Sequence, residues 1–305
     1  MRTALTFFLS CLFALTLDAQ SEPLFSHFMF NRLNYNPAYA GAKDLLDAAA
    51  IYRNQWWSGI DGAPRTLNLF AHAPFAQRRN GAGISLLYDK IGLHKTLSLG
   101  LSYAYRIPLD AERRNTLALG LGGRFENLRT DWDLADPLNT DDEQLGLDGS
   151  NSTFNVGAGV FFTNPNFYLG LSVPRLLKNS LYTQGNGFGA SVNTYYFQGG
   201  LILPMNGQVK FYPNLLVSLN PRAPFELDLN ANFLFFDALW LGLSHRLGDS
   251  LVGLVQFEFD NGLRLGLAVD LTTSDLREAT TGSYELLVGY TFPCEDCLVK
   301  SLRYF

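Results

Sequence analysis

The feature that most constrains this chain is a two-residue alternation sustained over unusually long stretches. From Leu97 to Ile107 the odd positions are Leu97, Leu99, Leu101, Tyr103, Tyr105 and Ile107, with Ser98, Gly100, Ser102, Ala104 and Arg106 between them. Successive side chains of a β-strand point to opposite faces, so this segment reads as a strand with one apolar face and one small or polar face. The pattern returns at 117–125 around Ala118, Gly120, Gly122 and Arg124, at 225–235 around Glu226, Asp228, Asn230 and Asn232, and at 263–271 around Arg264, Gly266, Ala268 and Asp270. Runs of about nine to eleven residues match a tilted crossing of a hydrocarbon layer, whereas strands of soluble sheets are mostly about five or six.

Composition decides between the two all-β classes that such strands allow. The chain is 47% hydrophobic and 17% charged, where a soluble domain carries about 25% charged residues. A soluble sandwich would turn these leucines inward and need more charge on its outward faces. So much apolar material also excludes a disordered chain. The balance of 23 basic to 28 acidic residues, without a basic block, leaves nothing to neutralise a phosphate backbone, which excludes nucleic acid as a partner.

The one long apolar run, Ala4 to Leu17, follows Arg2 and ends at Leu17-Asp18-Ala19. This is the form of a secretory signal peptide, 1–19, whose removal takes Cys11 with it. After residue 20 no run reaches the roughly 18 to 20 apolar residues of a membrane helix. The expectation is therefore an all-β protein: a transmembrane antiparallel β-barrel in the outer membrane, occupying 20–305, with 20–45 as a short periplasmic segment before strand one.

Candidate strands fall near 46–55, 66–73, 81–90, 95–108, 115–129, 152–163, 167–174, 191–204, 208–219, 225–235, 239–247, 250–259, 263–271 and 283–292. That makes about 14 strands, an even number as bacterial single-chain barrels have. The third drifts in phase, and the ninth contains Pro213, which cannot donate a ladder bond. Alternate connections are short, as at 164–166, 205–207, 236–238 and 260–262, while 56–65, 130–151, 175–190 and 272–282 are long. Short turns on one side and longer loops on the other are the outer-membrane arrangement.

Chemistry-bearing constellations are few, and no cofactor or metal is expected. Asp131, Asp133, Asp136, Asp141, Asp142, Glu143 and Asp148 form an acidic loop without the spacing of a calcium loop, which reads as a solvated loop. Cys294 and Cys297 supply only two zinc ligands and read as a local disulfide or two free thiols. Gly120, Gly122 and Gly123 sit in an alternating strand and read as small lumen-facing residues, not as a phosphate loop. Ser244 beside His245 is not a triad without geometry, so no enzyme is expected.

Specific sequence appears in the N-terminal third. Pro23-Leu24-Phe25-Ser26-His27-Phe28-Met29-Phe30-Asn31 is followed by Asn36-Pro37-Ala38-Tyr39-Ala40-Gly41, then Tyr52-Arg53-Asn54-Gln55-Trp56 and Gly62-Ala63-Pro64-Arg65-Thr66. In order and spacing these closely resemble the PorP/SprF family of type IX secretion system membrane proteins. The strong motifs cover 23–75; beyond Phe75 the likeness rests on the barrel pattern and on Arg303-Tyr304-Phe305. Trp57 and Ser58, standing before the Gly59-Ile60-Asp61 region, depart from the family pattern. The resemblance implies a barrel that works with the type IX export and gliding machinery, helping to secrete or retain large surface proteins. It implies as partners a secreted cargo protein and other secretion components, besides membrane lipid.

Candidate partner-binding residues are Phe25, Phe28, Phe30, Asn36, Pro37, Tyr39, Arg53, Trp56 and Trp57. The phenylalanines are too apolar to hang in water, so their segment either tucks into the barrel mouth as a plug or meets a partner. Arg53 lies on the polar phase of strand one and needs carboxylate or carbonyl acceptors. Trp56 and Trp57 open the first outer loop as interface anchors or partner contacts. The alternative function is an outer-membrane channel for a small apolar solute, since fourteen strands can enclose a sizeable lumen.

Overall fold

The computed structural model describes residues 23–131, 149–177, 193–221 and 223–293. The expected signal peptide, the acidic loop after Asp131, Cys294, Cys297 and the terminal Arg303-Tyr304-Phe305 lie outside the described residues. The strands are β1 (Asp47–Asn54), β2 (Arg65–Phe75), β3 (Asn80–Ile91), β4 (His94–Pro108), β5 (Thr116–Thr130), β6 (Gly149–Thr163), β7 (Phe167–Val173), β8 (Tyr195–Leu201), β9 (Leu203–Pro204), β10 (Val209–Leu219), β11 (Glu226–Phe235), β12 (Leu239–Arg246), β13 (Ser250–Glu258), β14 (Leu263–Thr272) and β15 (Gly282–Thr291). Each crossing pairs antiparallel with the next, and β15 returns to pair with β1, Arg53 standing opposite Glu285. The ring of strand pairings is thus closed among the described residues, the arrangement by which a sheet satisfies its edges in lipid.

β8 and β9 are two pieces of one crossing, which makes fourteen. Both pair with β10 in one register, Asn214 opposite Gly200 and Phe211 opposite Leu203. The break falls beside Pro213, which has no N–H to donate. Ile202 turns its own N–H to Asn166 O at 2.6 Å.

Exposure follows the alternation. Leu97, Leu99, Leu101, Tyr103 and Tyr105 on β4 are exposed outward, while Ser98, Ala104 and Arg106 are buried inward. Leu265 on β14 is likewise outward. The phase of β3 does not drift: Leu86 and Tyr88 face out and Leu87 is buried inside. Leu87 blurs the pattern because part of the lumen wall is apolar. Gly123 corrects the expectation for the three glycines, since it takes the outward phase against Phe154.

Connections 76–79, 109–115, 164–166, 205–208, 236–238 and 259–262 leave one end of the barrel. The other end carries 55–64, 92–93, 131–148, 174–194, 220–225, 247–249 and 273–281. Bacterial barrels turn their short connections to the periplasm and their long ones outward.

Candidate functional site

The segment before strand one, expected as periplasmic and as either a plug or a partner contact, is inside the barrel over its described residues. Phe25, Phe28, Met29, Tyr35, Ala38 and Tyr39 are none of them more than 2% exposed. Three short helical turns, Phe28–Phe30, Arg32–Tyr35 and Pro37–Tyr39, compact the chain enough to fill the lumen. Asn36 starts the third, its side chain accepting from Ala38 N at 2.9 Å. Pro37 follows at the first position, where a missing N–H costs nothing. Leu24 lies at the long-loop mouth beside Trp56 and Arg246; Asp44 lies at the short-turn mouth beside Arg78 and Arg106. The plug therefore runs from the outer mouth down to the foot of β1.

Three tiers of contacts hold it. In the upper tier Arg53 donates to Glu285 Oε1 at 2.6 Å, to Asp270 Oδ2 at 2.7 Å and to Ser26 Oγ at 3.0 Å. Ser26 Oγ donates to Asp270 Oδ1 at 2.7 Å, and the N–H groups of Ser26 and His27 donate to the two Glu285 oxygens at 2.5 and 3.0 Å. Plug and wall thus share one network of buried charges and charge-assisted bonds, which are stronger than neutral ones. Arg53 finds the carboxylates its phase requires.

In the middle tier Arg32 stacks 4.2 Å over the Tyr168 ring and donates to Tyr212 Oη at 2.8 Å. A guanidinium on an aromatic face, with a hydroxyl acceptor, is tolerated where a bare charge is not. Edge contacts follow: Phe30 on Trp240 at 5.4 Å, Tyr35 on Tyr196 at 5.2 Å and Tyr39 on Phe161 at 5.3 Å. Tyr196 is thus a lumen residue. Glycine permits the closest approach: a Cβ on Gly120 would overlap the backbone of Ala38, and one on Gly159 the Asn36 side chain.

The lower tier centres on Asp47, which accepts from Arg264 at 2.5 Å, Thr291 at 2.6 Å and Lys43 at 2.9 Å. Burial pushes the Lys43 ammonium down to about 8 despite its carboxylate partner. Gly41, at φ 73°, donates to His72 Nδ1 at 3.1 Å, and Arg106 bonds the Gly41 carbonyl and Asp44.

Of the nine candidate residues, Phe25, Phe28, Phe30, Asn36, Pro37 and Tyr39 come together in the plug, and Arg53 anchors it. Trp56 and Trp57 lie apart, at the long-loop mouth. Trp57 is 59% exposed, donating to Thr281 Oγ1 at 2.7 Å with its ring edge-on to Tyr284. Between plug and loops is a crevice of about 530 Å³, lined by Leu24, Trp56, Phe225, Arg246 and Asp249 among others. The sequence reading missed Asp47, Arg264, Asp270 and Glu285 as plug anchors. Their signal was present: a charged side chain on the inward phase of a crossing needs a partner in the lumen. Ser244 is buried against Asn230 while His245 faces lipid, so the two do not form a catalytic pair.

Closure, strand length and an apolar exterior define an outer-membrane β-barrel, here one whose lumen is filled by its own N-terminal segment. The sequence matches the type IX secretion system membrane proteins PorP/SprF over residues 17–290. The chain belongs to that family, and with it to the structural or transport proteins of the outer membrane. Solved structures with overall likeness include Omp33 of Acinetobacter baumannii, 10% identical over 83% of this chain and 100% of that one, TM-score 0.49. The translocator domain of the autotransporter NalP from Neisseria meningitidis is 14% identical over 88% and 96%, TM-score 0.40. No curated protein matches the sequence.

Proposed function

We propose that this protein serves type IX export without catalysis, supporting secretion or surface attachment of large proteins through its outer rim. The observation that carries this reading is the filled lumen. A barrel whose axis is occupied by buried aromatic side chains and ion-paired arginines offers no path to a solute, which disfavours the channel for a small apolar compound. What it offers outward is the Trp56–Leu24 crevice, with Trp57 exposed at the same mouth. Exposed aromatic residues beside a concave rim are the usual anchors of protein contacts.

In this reading Trp56 and Trp57 touch the cargo. Phe25, Phe28, Phe30, Asn36, Pro37, Tyr39 and Arg53 act indirectly, by fixing the floor on which the loops stand. Residues 1–19 direct the chain to export and are removed. The test is affinity purification from native membranes. Wild type is expected to retain a secreted protein's C-terminal region, and Trp57→Ala to lose it while still running as a folded barrel. Equal recovery with both would refute the assignment.

A further inference from the structure

The short-turn mouth carries a charged surface that the export reading does not use. The turn 76–79 reads Ala76-Gln77-Arg78-Arg79, and the neighbouring turn 109–115 holds Arg113 and Arg114. Ala76, Gln77 and Arg78 all take left-handed backbone, φ 48°, 57° and 64°, and Arg113 does so at φ 52°. Side chains other than glycine rarely adopt this region, and where they do the surroundings hold them there, often at binding positions. Here two of the four strained residues are themselves arginines. Arg113 Nη1 donates to Gln77 O at 2.8 Å and ties the turns together.

Between the turns is a cavity of about 340 Å³ lined by Asp44, Arg78, Arg79, Arg106, Glu112 and Arg113 among others. Its charge is not balanced. Asp44 serves both Arg106, at 2.7 Å, and Arg78, at 3.9 Å, while Glu112 pairs with Arg114 at 2.7 Å. Arg79 and Arg113 have no carboxylate within ion-pair distance among the described residues. The chain as a whole is net −5, so this local positive excess runs against its composition.

The position of the lining narrows the ligand. Arg106 is on the inward phase of β4 and is buried, so this part of the lining is on the lumen side of the wall and not on the lipid-facing side where phospholipid phosphates lie. We propose that this mouth receives an acidic segment, rich in aspartate or glutamate, of a periplasmic protein, with Arg79 and Arg113 as the main contacts. Guanidinium forks match carboxylates in two-pronged pairs. Being at a rim, such pairs act mainly on association and fade with salt. The proposal is independent of the cargo reading, which concerns the opposite mouth.

The test uses the full mature chain in nanodiscs of zwitterionic lipid, with fluorescent hexaglutamate as probe and inorganic phosphate as competitor. Binding is expected to weaken about tenfold or more between 50 and 300 mM salt, as screening of exposed pairs requires, and about tenfold or more again in Arg79→Gln/Arg113→Gln. Phosphate should compete only weakly. Unchanged binding in the double variant would overturn the proposal. So would absence of peptide binding alongside Arg79-dependent binding of nanodiscs to anionic vesicles, which would make these arginines headgroup anchors. If the double variant does not assemble, Arg79→Gln alone decides, since Arg79 is exposed and makes no ion pair.

Discussion

Replacing Arg53 with methionine removes the cation shared by Asp270 and Glu285 while keeping a side chain of similar reach. The three groups are at most 3% exposed, so the stranded carboxylates cannot turn to water. Glu285 keeps the N–H groups of Ser26 and His27, and Asp270 keeps Ser26 Oγ with Arg246 at 3.8 Å. The loss is therefore that of one broken buried network, about 3 to 5 kcal/mol, and not the sum of two ion pairs. Urea unfolding in lipid vesicles reads the stability. Plug release is read by a membrane-impermeant maleimide on Met29→Cys, in a background with Cys294 and Cys297 changed to serine. Met29 is fully buried, so the introduced thiol should be inert in the parent and reactive with Arg53→Met. Adding Asp270→Asn and Glu285→Gln should recover much of the loss, because no buried charge is then unpaired. An unchanged unfolding midpoint with an inert thiol would refute the reasoning.

Leu101→Arg or Leu265→Arg should cost about 2 to 4 kcal/mol if the site is near the bilayer midplane, read in the same unfolding assay; equal tolerance would show the phase inverted. Gly120→Leu should drive a side chain into the Ala38 backbone and cost about 1 to 3 kcal/mol as overpacking does, lowering the temperature at which the fast-migrating unboiled form is lost. Phe28→Ala/Phe30→Ala should lower that temperature too, at about 3 to 5 kcal/mol for the fully buried Phe28 ring. Persisting heat resistance with lost surface display would return these residues to a direct partner role. Lys43 titrates near 8 in the folded chain and near 10.5 when exposed, so the unfolded state binds the proton more tightly between these values. Wild type should therefore gain stability relative to Lys43→Met as pH rises from 8 to 10.

The barrel was legible because its rule is local: period two, long strands and alternating loop lengths need no tertiary information. Pro213 left its own strand, β10, continuous, and the break falls in the neighbouring crossing, between β8 and β9. The plug was legible only as one of two alternatives beside a partner contact, because Phe25 to Tyr39 has no period and its burial depends on a lumen that exists only once β1 and β15 pair. Arg53 announced that it needed carboxylates. Which ones could not be read, since Asp270 and Glu285 are 217 and 232 residues away in sequence and become neighbours only through closure. Leu87 misled for the same reason, being apolar toward a plug whose position the sequence does not state.

The central claim, a lumen closed by the chain's own N-terminal segment, is tested most directly by conductance in planar bilayers. The full mature chain, shown to be folded by its fast migration unboiled, is expected to give no steady channel current at any applied voltage that leaves the bilayer intact. A reproducible open-channel current from that preparation would contradict it.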